Sequence, residues 1–217
     1  MSTETIFIQL MGGMGVTVAI FILTLVFSMP LGMVVALLRM TRSRLLSLLV
    51  QVYISVMRGT PLMLQLIVIY FAPFYLFHIK ISSSYRFVAV ILAFALNYAA
   101  YFAEIYRSGF RSIPAGQYEA AHVLGYSRAQ TFFHIILPQV VKRVLPPVTN
   151  EVITLVKDTS LAFAIATAEM FTIAKQISAK EASLMPLMAA GVFYYIFNVL
   201  VAWVCARIEK HYDYYKI

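Results

Sequence analysis

Five stretches of this chain are long enough and apolar enough to cross a lipid bilayer: residues 15–38, 45–77, 87–106, 148–172 and 184–205. A spanning helix needs roughly 20 mostly apolar residues. In hydrocarbon every backbone N–H and C=O must be satisfied within the protein, so a spanning chain is confined to helices or a closed barrel. Runs of this length point to helices. The expected fold is therefore an all-α integral membrane protein of five transmembrane helices, one domain over residues 1–217. Composition agrees, since 62% hydrophobic residues with 12% charged lies far outside soluble usage. The longest polar interval is a loop at about residues 108–146, between the third and fourth segments, so no separate soluble domain is expected.

The positions of the seventeen Lys and Arg residues orient the spans. Arg39, Arg42 and Arg44 follow the first segment. Arg107, Arg111, Arg128, Lys142 and Arg143 flank or occupy the large loop, and Arg207, Lys210 and Lys216 follow the last segment. If the segments alternate, all of these share one side, whereas Lys80, Arg86, Lys175 and Lys180 fall on the other. Cytoplasmic loops carry the excess of Lys and Arg. The expected topology thus has the N-terminus outside, with the large loop and the C-terminus in the cytoplasm of a multi-pass cell-membrane protein. The net charge of +8 is read as this topology signal, and no nucleic-acid partner is expected. Residues 1–13 lack Lys and Arg, which argues against a cleaved signal peptide. Trp203, Tyr212, Tyr214 and Tyr215 suit an interfacial aromatic belt.

The large loop has its own grammar. Ser112-Ile113-Pro114 opens it, and Pro suits the first turn of a helix. A short helix over 116–124 should end at Gly125, which can adopt the left-handed conformation that closes helices. Ser127-Arg128-Ala129-Gln130 has the form of a capping box, so a second helix should start at once. Pro138 should then kink or stop that helix. Ala120 and Ala121 permit close approach by another surface, and Tyr118, Val123 and Leu124 offer apolar contact. Such a helix suits docking into a groove on a partner, with Glu119 free to pair with a basic group there. The plainer alternative is a loop helix lying on the bilayer surface.

Glu119-Ala120-Ala121, Gly125 three residues after His122, and Ile135-Ile136-Leu137-Pro138 together read EAA-x3-G-x9-I-x-LP. This pattern resembles the loop by which permeases of the binding-protein-dependent ABC importers engage their ATPase. Four further stretches are similar to the branch that takes up polar amino acids: Gly15-x-Thr17, Met57-Arg58-Gly59-Thr60-Pro61, Ala103-Glu104-Ile105-Tyr106-Arg107-Ser108-Gly109, and Val156-Lys157-Asp158-Thr159-Ser160-Leu161. Ser108 stands where that branch often has Gly. The resemblance implies a type I importer permease. It would pair with a second permease, identical or related, and dock two ATP-binding subunits through Gln117, Glu119, Ala120, Ala121, Gly125 and Pro138. An extracytoplasmic binding protein would deliver the amino acid. No cofactor is expected on this chain; ATP and Mg would sit on the partner, because no G-x-x-x-x-G-K-[ST] cradle occurs here.

Charges at membrane depth are costly, by about 2.5–3.5 kcal/mol at a helix centre on insertion scales, and therefore tend to pair or line a cavity. Glu151 and Asp158 lie seven residues apart, about two turns, with Thr154 between them on the same face. That face would attract the α-ammonium of an amino acid, and a second cation if the substrate is basic; pairing with Lys157, Arg58 or Arg107 is the alternative. Asn97 could read the substrate or bond between helices, and Glu104 beside Arg107 suits a structural or gating role. Pro61 strips the carbonyl of Met57 of its helical partner, so the second segment should break at Gly59-Thr60-Pro61. Broken helices survive in membranes where they line a cavity, and transporters use them at binding sites. Arg58 could meet a carboxylate there, and Gln65 could line the same path.

The eleven Met residues are scattered and read as packing. The isolated His residues offer no metal site, and no catalytic motif appears, so a transport subunit is expected and not an enzyme. The competing transport mechanism is a carrier driven by an ion gradient, using the buried carboxylates as proton or Na⁺ sites. A membrane-embedded enzyme or scaffold is the remaining class.

Overall fold

Apolar length makes the longest helices, the first of them running through Pro30, and polar punctuation decides where the others stop. The computed structural model describes residues 3–212. Its helices are α1 (Thr3–Arg39), α2 (Arg44–Gly59), α3 (Leu62–Phe77), α4 (Ser83–Arg111), α5 (Ala115–Val123), α6 (Arg128–Gln130), α7 (Leu137–Asp158), α8 (Met170–Glu181) and α9 (Met185–Tyr212). By length and composition α1, α4 and α9 can each cross a membrane, and α2 with α3, bent by 111° at their junction, makes a fourth span if taken as one.

Two boundaries differ from the sequence expectation. Helix α1 begins at Thr3, and its 37 residues reach roughly 55 Å at 1.5 Å per residue, well beyond the hydrocarbon core. The segment 148–172 is not one helix. Here α7 ends at Asp158, a 3₁₀ turn covers Thr159–Ile165, and Ala166 takes a left-handed φ of 54° before α8 starts. The hydroxyls of Thr159 and Ser160 bond back to the carbonyls of Val156 and Lys157, each at 2.7 Å. Such side-chain bonds compete with the helical ladder and close it.

Helix α4 is the axis of the fold. In its most apolar stretch 67% of the residues are buried, against 33% for α1 and 17% for α9. Ala89, Ala93, Ala99, Ala100 and Ala103 are buried along it beside Phe94 and Phe102. Small residues let helices approach closely where lipid removes the hydrophobic drive between them. A Cβ on Gly32 of α1 would lie 2.8 Å from the Phe102 Cβ, and one on Gly13 would lie 2.7 Å from the Met170 Cα. Only glycine allows α1 to lie so near α4 and α8. Thr17, fully buried, accepts from the Met170 N–H at 3.2 Å and joins α1 to the start of α8. Residues Val192, Ile196, Val199, Leu200, Trp203 and Val204 of α9 stay exposed and form its apolar outer face. Of the expected aromatic belt, Trp203 and Tyr212 are exposed, while Tyr214 and Tyr215 fall outside the described residues.

The break between α2 and α3 occurs at the expected place, and polar side chains close it. The Met57 carbonyl, unpartnered within its helix because of Pro61, accepts from Gln65 Nε2 and from Asn97 Nδ2, both at 2.9 Å. Gln65 also donates to the Thr60 carbonyl at 3.1 Å, and Asn97 donates to Gln65 Oε1 at 3.0 Å. Both amides are buried. Gln65→Leu removes donors that no water can replace at this depth, so the purified protein should lose about 1–3 kcal/mol of stability. Thermal unfolding in detergent measures this, and an unchanged midpoint would show that the break holds without Gln65.

Candidate functional site

The break exposes Arg58. A cavity of about 450 Å³ opens between α2, α4 and α7, lined by Arg58, Tyr101, Glu104, Arg107, Arg143 and Glu151 among others. The Arg58 guanidinium lies 5.2 Å from the centre of the Tyr101 ring, within cation–π range. Arg58 comes from the last turn of α2, Tyr101 from the middle of α4 and Glu151 from α7. Three separate elements thus converge on one polar pocket. Toward the end of the molecule that carries the α4–α7 loop, Arg107 grips Glu104 with two bonds, Nε to Oε1 at 2.9 Å and an Nη to Oε2 at 2.5 Å. Arg143 donates to the Ser112 carbonyl, tying α7 to the end of α4.

The sequence-selected residues divide into two groups. Arg58 and Glu151 share the cavity. Asp158, half-buried two turns along α7, accepts the Tyr98 hydroxyl at 2.7 Å. Thr154 donates to the Asn150 carbonyl at 3.0 Å, and Lys157 is exposed. Asn97 is 4% exposed and its amide hydrogens serve the helix break. Gln65 is buried in the same junction and does not line the cavity. Tyr98 and Tyr101 carry no distinguishing mark in the sequence beyond standing one and four residues after Asn97, since α4 also holds Phe94, Phe102 and Tyr106.

Glu169 is a further carboxylate of the apolar segments. It is fully buried and caps α8, accepting from the Phe171 N–H at 2.7 Å, the Thr172 N–H at 2.6 Å, the Thr172 hydroxyl at 2.7 Å and the Tyr194 hydroxyl at 2.9 Å. Four donors satisfy a carboxylate that hydrocarbon would otherwise exclude. Its only sequence signal was a carboxylate inside an apolar segment.

The loop follows the expected grammar with one change. Helix α5 closes at Gly125, whose φ is +78°; the Tyr126 N–H reaches the Ala121 carbonyl at 3.0 Å and the Gly125 N–H that of His122 at 3.0 Å. This is the left-handed closure that glycine favours. The capping box forms in both directions, Gln130 N–H to Ser127 Oγ at 3.3 Å and Ser127 N–H to Gln130 Oε1 at 2.9 Å. Pro138, however, does not stop the helix. The backbone widens into a π-helical stretch at Thr131–Ile136, then continues as α7 with Pro138 in its first turn. The extra residue per turn absorbs the proline, and Gln139 Nε2 bonds to the Ile135 carbonyl at 2.8 Å. Ala121 is buried, whereas Gln117, Glu119 and Ala120 are exposed, with Val123 and Leu124 at 86% and 73% exposure. The short helix therefore presents a bare apolar end beside a carboxylate.

The family described as "Binding-protein-dependent transport system inner membrane component" matches residues 28–214. The L-cystine transport system permease protein TcyB of Bacillus subtilis is 39% identical over 95% of this chain and 87% of its own length. The putative glutamine transport system permease protein GlnP of Rickettsia conorii is 34% identical over 90% and 88%. A crystal structure of an amino acid ABC transporter with histidines superposes with a TM-score of 0.84, at 29% identity and 94% coverage of each chain.

The closure at Gly125 gives a local test. Gly125→Val places a branched side chain at positive φ, at a strain of roughly 1–2 kcal/mol, and should speed amide exchange over 115–130. Gly116→Ala, which meets open space and puts a better helix former into α5, should leave exchange unchanged or slower. Equal exchange in both would remove the conformational role of Gly125.

Proposed function

The chain belongs to the inner membrane components of binding-protein-dependent transport systems, the permease subunits of amino-acid ABC importers, and from that we propose a site and a mechanism for it. The observation that carries the reading is the cavity in which Arg58, freed by the helix break, faces Glu151 of α7. A zwitterionic amino acid presents a carboxylate and an ammonium together. Arg58 can hold the carboxylate through two parallel N–H bonds, and Glu151 can hold the ammonium. Asp158 and Thr154, further along the same helix, extend the negative face toward the far end of a basic or second polar group. Asn97 contributes by holding the break that aims Arg58. The cavity volume lies within the range of about 300–1,000 Å³ typical of small-molecule sites.

Two such permeases, identical or related, face one another across the pathway with the N-terminus outside and the α4–α7 loop in the cytoplasm. Each presents Glu119, Ala120, Val123 and Leu124 to a groove on an ATP-binding subunit, with Gln117, Ala121, Gly125 and Pro138 setting the pose of the short helix. A binding protein delivers the amino acid from outside. ATP supplies the bias between inward and outward states, because substrate binding alone cannot move a solute uphill. Helix α7 links the two sites, since it begins beside the loop and carries Glu151 and Asp158. The Glu104–Arg107 and Arg143–Ser112 contacts stand where the cavity meets the loop and suit a gate. ATP and Mg belong to the partner.

Uptake into cells should collapse on ATP depletion and survive an uncoupler; the opposite pattern would favour a gradient-driven carrier. Glu119→Ala or Gly125→Pro should abolish uptake with expression intact, and wild-type uptake in either would end the docking assignment. Arg58→Gln removes a charged hydrogen bond, worth about 1.5–3 kcal/mol, and should raise the substrate KM about tenfold to a hundredfold. Asp158→Asn should weaken substrate-stimulated ATP hydrolysis without impairing assembly. An unaltered concentration dependence in both variants would remove these residues from the site.

A further inference from the structure

Asn97 and Tyr98 stand side by side on α4 and turn to different neighbours, because consecutive helical residues point about 100° apart. Asn97 donates to the Met57 carbonyl at 2.9 Å and so fixes the backbone from which Arg58 extends. Tyr98 donates its hydroxyl to Asp158 Oδ2 of α7 at 2.7 Å. Tyr101, four residues after Asn97 and three after Tyr98, lies on the face between them. Its ring is 6.2 Å from that of Tyr98 and 5.2 Å from the Arg58 guanidinium. One turn of α4 therefore touches both charged ends of the region, Arg58 on α2 and Asp158 on α7.

The Tyr98 phenol is a fixed donor. The residue is 2% exposed, and its ring packs against Tyr101 and Phe102, each at 6.2 Å. An Asp carboxylate by itself turns easily about its last bond, since that torsion has broad wells. Asp158 makes no side-chain bond to the turn that follows it, and among the described residues the Tyr98 hydroxyl is the donor that holds it. A bond from a hydroxyl to an ionised oxygen is roughly twice as strong as a neutral one. It occupies one oxygen of a half-buried carboxylate and leaves acceptor sites on the other.

We propose that Tyr98 is a positioning residue. It holds Asp158 at a fixed reach from Arg58 and thereby makes the site prefer amino acids with a second ammonium at the end of the side chain. This rests on the reading of Arg58 and Asp158 as substrate groups. An amino acid whose carboxylate lies on Arg58 meets Asp158 at one set distance, which a side-chain ammonium fills and an apolar chain end does not. Without the hydroxyl the carboxylate turns, and the ammonium loses a partner held ready for it.

L-lysine and L-norleucine share a backbone and a four-carbon side chain and differ by the ε-ammonium, so the ratio of their dissociation constants isolates the Asp158 end. Both are measured as radiolabelled probes by equilibrium dialysis against the purified permease complex, with its ATP-binding subunits and without the binding protein. Wild type should bind L-lysine the more tightly. Tyr98→Phe should cut that preference about tenfold, the loss of one charge-assisted hydrogen bond, while L-norleucine binding reports that the site has kept its fold. Tyr53→Phe removes another phenol bond to α4, the one to the Leu96 carbonyl at 2.6 Å, and should leave the ratio as it was. In an Asp158→Asn background, Tyr98→Phe should lower the ratio no further. A wild type without a lysine preference, a preference that survives Tyr98→Phe, or the same fall in the Asp158→Asn background would each overturn the assignment. Arg58→Gln reads the underlying site separately. A weakening of both probes alike supports that site whatever Tyr98→Phe does, and no weakening of either removes the site and with it the role of Tyr98.

Discussion

The carbonyl of Met57 is the group on which this architecture turns. Pro61 denies it a helical partner, and at membrane depth an unsatisfied backbone oxygen costs several kcal/mol. Gln65 from the next helix and Asn97 from the central one both donate to it at 2.9 Å. That arrangement lets α2 and α3 meet at 111° without an exposed backbone. It also pins the junction to α4, the most buried of the membrane-crossing helices. The Arg58 guanidinium, one residue beyond the satisfied carbonyl, is thereby carried off the lipid face and set over Tyr101. A polar network in a dry interior has to be complete or it destabilises, and this one is connected through three elements.

A second continuity runs lengthwise. The wide π turn at Thr131–Ile136 lets the backbone pass through Pro138 and deliver α7 as one helix from the loop to Asp158. Had Pro138 ended the helix, the turn that opens at Ser127 and the carboxylates Glu151 and Asp158 would belong to separate helices. Instead the backbone runs helically from Arg128 to Asp158, with Pro146 and Pro147 in its interior, and α7 is flanked by a cavity on one side and a cleft on the other. At its far end Thr159 and Ser160 turn their hydroxyls back on the last carbonyls, so the helix stops where the negative face stops.

Residues that looked alike in the sequence ended in different company. Asn97 and Glu151 are both polar groups in apolar segments. Asn97 went to the helix break because an amide offers two N–H donors and the freed carbonyls of α2 need them. Glu151 went to the cavity because a carboxylate can only accept, and the neighbouring groups there are the guanidinium of Arg58 and the cationic mouth of the cavity. Glu169 shows the remaining solution, a carboxylate held entirely by two backbone N–H groups and two hydroxyls at a helix start. Burial in itself did not distinguish these fates; the donors within reach did.

Local chemistry therefore settled what local chemistry can. Apolar length set where α1, α4 and α9 run, proline set the break at Pro61, and the Gly125 and Ser127 signals set the turn between α5 and α6, because each acts within a few residues of itself. The EAA spacing likewise lay open to reading, since one loop holds all of it. Tertiary structure decided the rest. Which of Arg58, Asn97, Glu151 and Asp158 would meet depended on partners far along the chain, such as Gln65 with Asn97 and Tyr98 with Asp158. A hydrogen bond is chosen by proximity in space, and for groups brought together by helix packing that proximity is not written in their spacing along the chain.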